Sequence, residues 1–127
     1  MEIRSHEKFE NIYWINLEGK KTRVATENLS PGQQVYDERL VESEGTEYRI
    51  WNPYRSKLAA AIIEEIEDVP IKSGSKVLYL GAASGTTASH VSDIVGEEGI
   101  VYAVEISSRP VRDLLATCRE RPNMAPI

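Results

Sequence analysis

The chain has 127 residues, of which 41% are apolar and 28% charged, and this is the size and composition of one ordinary globular domain. Its formal net charge of −5 argues against binding nucleic acid through the overall field, although it leaves room for a local basic face. No stretch approaches the ~20 apolar residues that span a bilayer, and the first residues lack a signal-peptide core. We therefore expect a cytoplasmic protein that does not enter a membrane.

Cysteine and histidine give no sign of a disulfide or of a metal site. The single Cys118 excludes an internal disulfide, and its place in an amphipathic stretch indicates a packing residue. His6 and His90 lie far apart, and neither has a second ligand at i+3 or i+4. We expect no bound metal.

The chain up to about Trp51 is typical of short antiparallel strands. Tyr13, Ile15 and Leu17 alternate along the chain, and residues 18–20 offer a hairpin turn into a strand at 22–25. After a turn at 31–32, further extended pieces are expected at 35–36, 39–41 and 48–51. We predict that residues 1–52 form a small antiparallel β domain. A module of roughly 50 residues buries too little apolar surface to be secure alone, so it should pack on the rest.

A helix is predicted to follow this β domain. Asn52 and Pro53 suit an N-cap and a first helical position. Leu58, Ile62 and Ile66 then recur every four residues, which places one apolar stripe against a core. Pro70 closes the pattern.

Residues 53–127 then alternate between helix and strand. We expect strands at 77–80 and 100–104 and helices at 86–95 and 110–119, which is the start of a doubly wound parallel sheet. Residues 124–127 look like the entry to a third strand. Because a two-stranded parallel sheet leaves apolar faces and edges uncovered, we expect half of a Rossmann-like α/β domain that is truncated, completed by another chain or poorly stable.

The most informative motif is the small-residue elbow at 81–87, between a buried strand and a helix. Gly81 and Gly85 have no Cβ, so a ligand can approach the backbone closely there. The next strand ends in Glu105, whose carboxylate could accept hydrogen bonds from a ribose diol. The spacing differs from the Gly-x-Gly-x-x-Gly of dinucleotide enzymes, and no lysine follows for a triphosphate loop. A nucleoside cofactor without a pyrophosphate fits better, and S-adenosylmethionine is the commonest such ligand.

Several long motifs resemble archaeal fibrillarin, at residues 28–32, 35–36, 38–40, 47–61 and 77–93. The resemblance implies an N-terminal β domain followed by a Rossmann-like methyltransferase domain. It also implies S-adenosylmethionine-dependent 2′-O-methylation of ribose in rRNA and tRNA, directed by a box C/D guide RNA within a ribonucleoprotein. A Nop5-type scaffold protein and an L7Ae-type kink-turn protein would be the partners, which would explain how an acidic chain acts on RNA.

The resemblance also assigns site residues. Glu105 matches the ribose-binding acid, Ile106 would lie beside the adenine where the family commonly has Phe, and Lys57 matches the first lysine of a lysine-aspartate-lysine catalytic set. Tyr54 and Arg55 suit RNA contacts and a domain junction equally well. The methionine side of the cofactor would be held by Gly81, Ala82, Ala83, Gly85, Thr86 and Thr87.

The sequence departs from the family in places. The adenine-side Asp-Ala pair, the catalytic aspartate and the second lysine would lie beyond Ile127. Asp37 stands where the family usually has Gly, and a positive φ would strain it.

Two alternatives to the guided enzyme stay open: a non-catalytic binding or assembly module that needs another chain to complete its fold, and a small-molecule methyltransferase that works without guide RNA. Trp14 and Trp51 are expected to pack between the two parts.

Overall fold

A five-stranded antiparallel sheet occupies the N-terminal part of the computed structural model, which describes residues 1–127. Its spatial order is β1-β2-β3-β5-β4. The strands are β1 (Glu2–Ser5), β2 (Tyr13–Asn16), β3 (Thr22–Glu27), β4 (Leu40–Ser43) and β5 (Thr46–Ile50). The predicted hairpin is confirmed, since β2 pairs with β3 in antiparallel register.

Two details of this sheet differ from the sequence prediction. β1 was not predicted, because its side chains are mostly exposed and show no apolar alternation. Val35 and Tyr36 were expected to be extended strand residues, and this is wrong. Their backbone N–H groups both donate to the carboxylate of Glu38, at 2.8–3.0 Å, so they form a turn around that side chain.

The connection to the second part is a short 3₁₀ turn (Pro53–Arg55) followed by α1 (Lys57–Ile63). The single helix predicted from Asn52 is therefore wrong in two respects. Asn52 caps only the 3₁₀ turn, and extended Ser56 (φ −153°) then caps α1 by accepting from the Ala59 N–H. The helix ends before Ile66, which is 39% exposed.

The second part is a parallel sheet with helical connections. It consists of β6 (Lys76–Leu80), α2 (Thr86–Val95), β7 (Ile100–Val104), α3 (Ser108–Arg119) and β8 (Met124–Pro126), with strand order β6-β7-β8. The sheet has three strands rather than the two expected, since the C-terminal segment pairs with β7. α2 and α3 cover one face, and Cys118 packs in that core as predicted. On the other face Leu78 and Leu80 are 63% and 71% exposed, which agrees with the expectation of an uncovered apolar face.

The two parts share a hydrophobic core. Trp51 is fully buried in a cluster that joins Ile12 and Val24 of the N-terminal part to Ile62 and Ile94 of the second. Trp14 packs on the same cluster, so the packing role predicted for both tryptophans is confirmed. The division of the chain at residue 52 stays a prediction. None of the helices is both long and apolar enough to cross a membrane.

A buried polar network lies beside this core and fastens α2 to the N-terminal sheet. Asp93 of α2 accepts from Arg49 Nη1 at 2.9 Å, from Arg121 Nη1 at 2.6 Å and from Thr26 Oγ1 at 2.6 Å. Arg49 also donates to Glu38 at 2.7 Å. The network thus pairs two buried carboxylates with two buried guanidinium groups, so its formal charge is balanced.

His90 of α2 belongs to the same network and is uncharged. The single proton of the Thr26 hydroxyl goes to Asp93, so this oxygen accepts from His90 Nδ1 at 2.8 Å, and His90 Nε2 accepts from the Tyr36 hydroxyl at 2.7 Å. Burial, followed by the positive fields of Arg49 and Arg121, holds the pKa of His90 well below 6.5. Burial raises the pKa of Tyr36 to about 12, so its hydroxyl remains a donor.

Candidate cofactor site

The elbow between β6 and α2 has a backbone that only certain residues tolerate. Gly81 and Gly85 have φ values of +78° and +101°, and Ala83 has a φ of +51°. A Cβ at Gly81 would meet no atom within 4 Å, so the sign of φ alone favours glycine there. At Gly85 a Cβ would also lie 3.3 Å from the side chains of Leu114 and Thr117 of α3. The elbow is therefore fixed by conformation at one end and by packing at the other.

The N-terminus of α2 presents backbone donors to this elbow. Its N-cap is Gly85, which has no side chain to bind the first-turn N–H groups of Thr86 and Thr87. These groups and the positive end of the helix dipole favour an anion such as a carboxylate. The start of α2 can thus hold the acidic end of an amino-acid-like ligand.

A hydrogen bond joins α2 to the helix that carries Lys57. Thr87 Oγ1 donates to Ser56 Oγ at 2.9 Å, and Ser56 is the N-cap of α1, of which Lys57 is the first residue. The hydroxyl predicted to bind cofactor is therefore also used to position the candidate catalytic lysine. On the opposite side, Ser89 Oγ donates to the Thr86 carbonyl at 2.8 Å and accepts from Arg49 Nη2 at 2.8 Å.

Glu105 meets the elbow from the end of β7. Its Oε1 accepts from the Ala83 N–H at 2.8 Å, and its Oε2 accepts from the Ser107 N–H at 3.0 Å. The backbone hydrogen bonds from Ser107 and Ala83 hold the pKa of this carboxyl below its usual range. A carboxylate oriented in this way keeps lone pairs free for a ligand diol.

A cavity of about 500 Å³ brings most of the predicted site residues together. Its wall includes Tyr54, Arg55, Lys57, Gly81, Ala82, Ala83, Thr86 and Thr87. Gly85 lies behind this wall, buried against α3. Glu105 touches the elbow from outside the cavity, and Ile106 is 96% exposed and also outside it. The structure therefore groups the residues predicted for the methionine side with Lys57, and of the two residues predicted for the ribose and the adenine only Glu105 contacts this group.

Sequence reasoning missed Ser56 and Ser89, which hold the two sides of the elbow. A serine directly before an apolar helical stripe is a recognisable N-cap signal, and the Asn52-Pro53 pair drew attention away from it. Ser89 had no such signal, because its role depends on Arg49, a residue of the distant strand β5.

A family model described as Fibrillarin matches residues 3–127. A fibrillarin-like rRNA/tRNA 2'-O-methyltransferase of Methanopyrus kandleri is 58% identical over 127 residues, which cover 100% of this chain and 55% of the relative.

Two solved structures are similar over the same region. The structure of Aeropyrum pernix fibrillarin with natively bound S-adenosyl-L-methionine matches with a TM-score of 0.97 and 50% identity, covering 100% of this chain and 55% of that one. A fibrillarin/Nop5p complex matches with a TM-score of 0.79 and 42% identity, over 96% of this chain and 52% of that one. The chain thus spans about half the length of these relatives. Because the family model matches nearly every residue, the chain belongs to the fibrillarin family.

Proposed function

We propose that this chain binds S-adenosyl-L-methionine and acts in the 2′-O-methylation of ribose in rRNA and tRNA. The observation that carries the proposal is the shared cavity in which Lys57 faces the backbone of the elbow, with the Ser56–Thr87 hydrogen bond between their helices. The similarity to proteins named as rRNA/tRNA 2'-O-methyltransferases supports this function over the assembly-module alternative.

The residues present fit the cofactor. The first-turn N–H groups of Thr86 and Thr87 would take its carboxylate, and Gly81 leaves the backbone open to its methionine chain. Glu105 would accept from the ribose hydroxyls with the lone pairs that Ala83 and Ser107 leave free. Ile106 would offer an apolar contact to the adenine.

Methyl transfer to a ribose hydroxyl would require a positive charge near that oxygen, and Lys57 would supply it. When bound, the cofactor would supply a methyl group on a positively charged sulfur, and the attacking group would be a ribose 2′-OH whose proton passes to water or to another base. The Lys57 ammonium, exposed at the mouth of the cavity, would stabilise the developing negative charge on that oxygen. The Ser56 cap holds α1 so that this ammonium and the elbow keep a fixed relation.

RNA selection and assembly belong to the same proposal. We assign the choice of nucleotide to a box C/D guide RNA and the assembly to a Nop5-type scaffold and an L7Ae-type kink-turn protein. The match to a fibrillarin/Nop5p complex supports the scaffold, and the net charge of −5 supports dependence on partners. The cytoplasmic location expected from the sequence stays part of the proposal.

Titration calorimetry with S-adenosyl-L-methionine tests the first step. Glu105→Gln should weaken binding by about tenfold or more, because a charged acceptor is lost, whereas Glu98→Gln in the exposed turn after α2 should not. With guide RNA and partner proteins added, Lys57→Ala should lower methylation far more than it lowers cofactor affinity. Absence of cofactor binding by the unaltered chain would contradict the proposal, and methylation without guide RNA would favour a small-molecule methyltransferase.

A further inference from the structure

The connecting segment, residues 52–57, leads from the N-terminal sheet into α1 and contributes to the wall of the cofactor cavity. Two hydrogen bonds tie this segment to the rest of the chain outside α1. Thr87 Oγ1 donates to Ser56 Oγ at 2.9 Å, and the Asn52 N–H donates to the Tyr36 hydroxyl oxygen at 3.1 Å. The first bond holds the end of the segment, and the second holds its beginning.

The 3₁₀ turn inside the segment is built on Asn52. Its Oδ1 accepts from the Tyr54 N–H at 2.9 Å, and its carbonyl accepts from the Arg55 N–H at 3.1 Å. One residue earlier, the Trp51 N–H still bonds to β3. The Tyr36 hydroxyl therefore holds the first residue after the sheet, and a shift of Asn52 would move the whole turn.

The ring of Tyr36 also holds the side chain of Arg55. The guanidinium carbon lies 5.2 Å from the centre of this ring, which is a cation–π distance. No carboxylate of the chain forms an ion pair with Arg55. Because Arg55 lines the cofactor cavity, the ring orients a charge that is otherwise exposed.

Tyr36 is itself held at both ends by buried groups. Its backbone N–H donates to Glu38 Oε1 at 2.8 Å, and its hydroxyl donates to His90 Nε2 at 2.7 Å. The single hydroxyl proton goes to His90, so the oxygen keeps lone pairs with which it accepts from the Asn52 N–H. The buried network thus fixes the orientation of Tyr36, and Tyr36 passes this order to the connecting segment.

We propose that Tyr36 is a positioning residue for methyl transfer. Its hydroxyl fixes the beginning of the connecting segment, its ring fixes the Arg55 guanidinium, and together they set where Lys57 stands in the cofactor cavity. Tyr36 does not line that cavity, so it acts through these residues. The inference rests on the proposed function, because it concerns the placement of Lys57 for that reaction. A displacement of about 1 Å at a reacting site can cost about 100-fold in rate.

Amide hydrogen exchange followed by NMR measures the bond to Asn52. Its N–H should be protected in the unaltered chain, and Tyr36→Phe should speed its exchange about tenfold or more. The control is Thr26→Val, which removes the hydroxyl on the opposite side of the His90 ring and leaves the connecting segment bonded. It should leave the exchange of the Asn52 N–H unchanged. An unprotected Asn52 N–H in the unaltered chain, or equal acceleration in the two variants, would overturn the role of the hydroxyl.

The contact with the ring has its own spectroscopic signature. A guanidinium over the face of Tyr36 places the Arg55 side-chain protons in the ring current, which shifts their resonances upfield. Tyr36→Phe should keep this shift, whereas Tyr36→Leu should abolish it. Arg55 resonances at the positions of an unfolded chain, before any substitution, would overturn the role of the ring.

Methylation assays with guide RNA and partner proteins test the consequence for the reaction. Tyr36→Phe should lower kcat about tenfold and leave the affinity for the cofactor and the KM for RNA within about twofold. Thr26→Val should retain kcat at a temperature at which both variants are folded. A merely structural role would reduce the amount of folded protein in both variants, so equal losses of kcat would overturn the proposal.

These measurements separate the inference from the proposed function. Cofactor binding and methylation by the unaltered chain, with a kcat that Tyr36→Phe does not change, would overturn the positioning role alone. A protected Asn52 N–H and shifted Arg55 resonances in a chain that binds no cofactor would overturn the methyltransferase proposal and leave the two contacts of Tyr36 in place.

Discussion

Replacing Asp93 with asparagine should destabilise the fold by about 3–5 kcal/mol. The carboxylate is fully buried and receives four donors: Arg49 Nη1 at 2.9 Å, Arg121 Nη1 at 2.6 Å, Thr26 Oγ1 at 2.6 Å and the Leu29 N–H at 2.9 Å. An asparagine side chain can accept hydrogen bonds only at Oδ1. Its NH2 group would face other hydrogen-bond donors, with which it cannot pair.

The magnitude follows from the charge balance of the network. In the native protein Glu38 and Asp93 balance Arg49 and Arg121, all of which are buried. In the variant Glu38 alone would face two buried guanidinium groups, and removing one member of a buried ion pair costs about 3–5 kcal/mol. For a chain of this size that loss corresponds to a fall in Tm of roughly 10–20 °C.

Thermal and urea unfolding followed by circular dichroism measure this loss. The matched control is Glu97→Gln, which makes the same chemical change in an exposed turn and should alter stability by less than about 0.5 kcal/mol. Adding Arg121→Met to the Asp93 variant should recover part of the loss, since it removes the surplus buried charge. A destabilisation below about 1 kcal/mol would show that water reaches this network and would refute the reasoning.

Three further predictions concern the elbow and its support. Gly85→Ala should lower the free energy of unfolding by about 1–3 kcal/mol, measured in urea, because its φ of +101° and the contacts with α3 both oppose a Cβ. Thr87→Val, which loses the bond to Ser56, should weaken cofactor binding about fivefold in calorimetry, whereas Thr87→Ser should not. Because the pKa of buried His90 is lowered, the unfolded state binds its proton first, and stability should fall by about 1.4 kcal/mol per pH unit below pH 6.5. In pH-dependent unfolding His90→Gln should remove most of this slope, and His6→Gln, at a less buried site, should remove less of it.

The parallel part of the fold was predictable because its signals are local. The apolar runs that became β6 and β7, the small residues between β6 and α2, and the acid at the end of β7 each stand within a few residues of their structural role. The helix after Asn52 shows where local signals compete. Both Asn52 and Ser56 are residue types that cap helices. Nothing in the sequence distinguishes the cap of the 3₁₀ turn, Asn52, from the cap of α1, Ser56. Asp37 was identified as a point of strain if it took a positive φ, and it has a φ of +60°.

The buried network was not predictable, and it is what connects the N-terminal sheet to the site. In sequence Arg49 is an ordinary polar residue of a strand, because nothing local distinguishes a buried guanidinium from an exposed one. In the fold its Nη2 reaches Ser89, which holds the Thr86 carbonyl at the start of α2. From the other direction, Ser56 reaches Thr87. The first turn of α2 is therefore fixed on both sides by residues of segments that precede the parallel sheet. The N-terminal sheet consequently helps to set the geometry of the elbow.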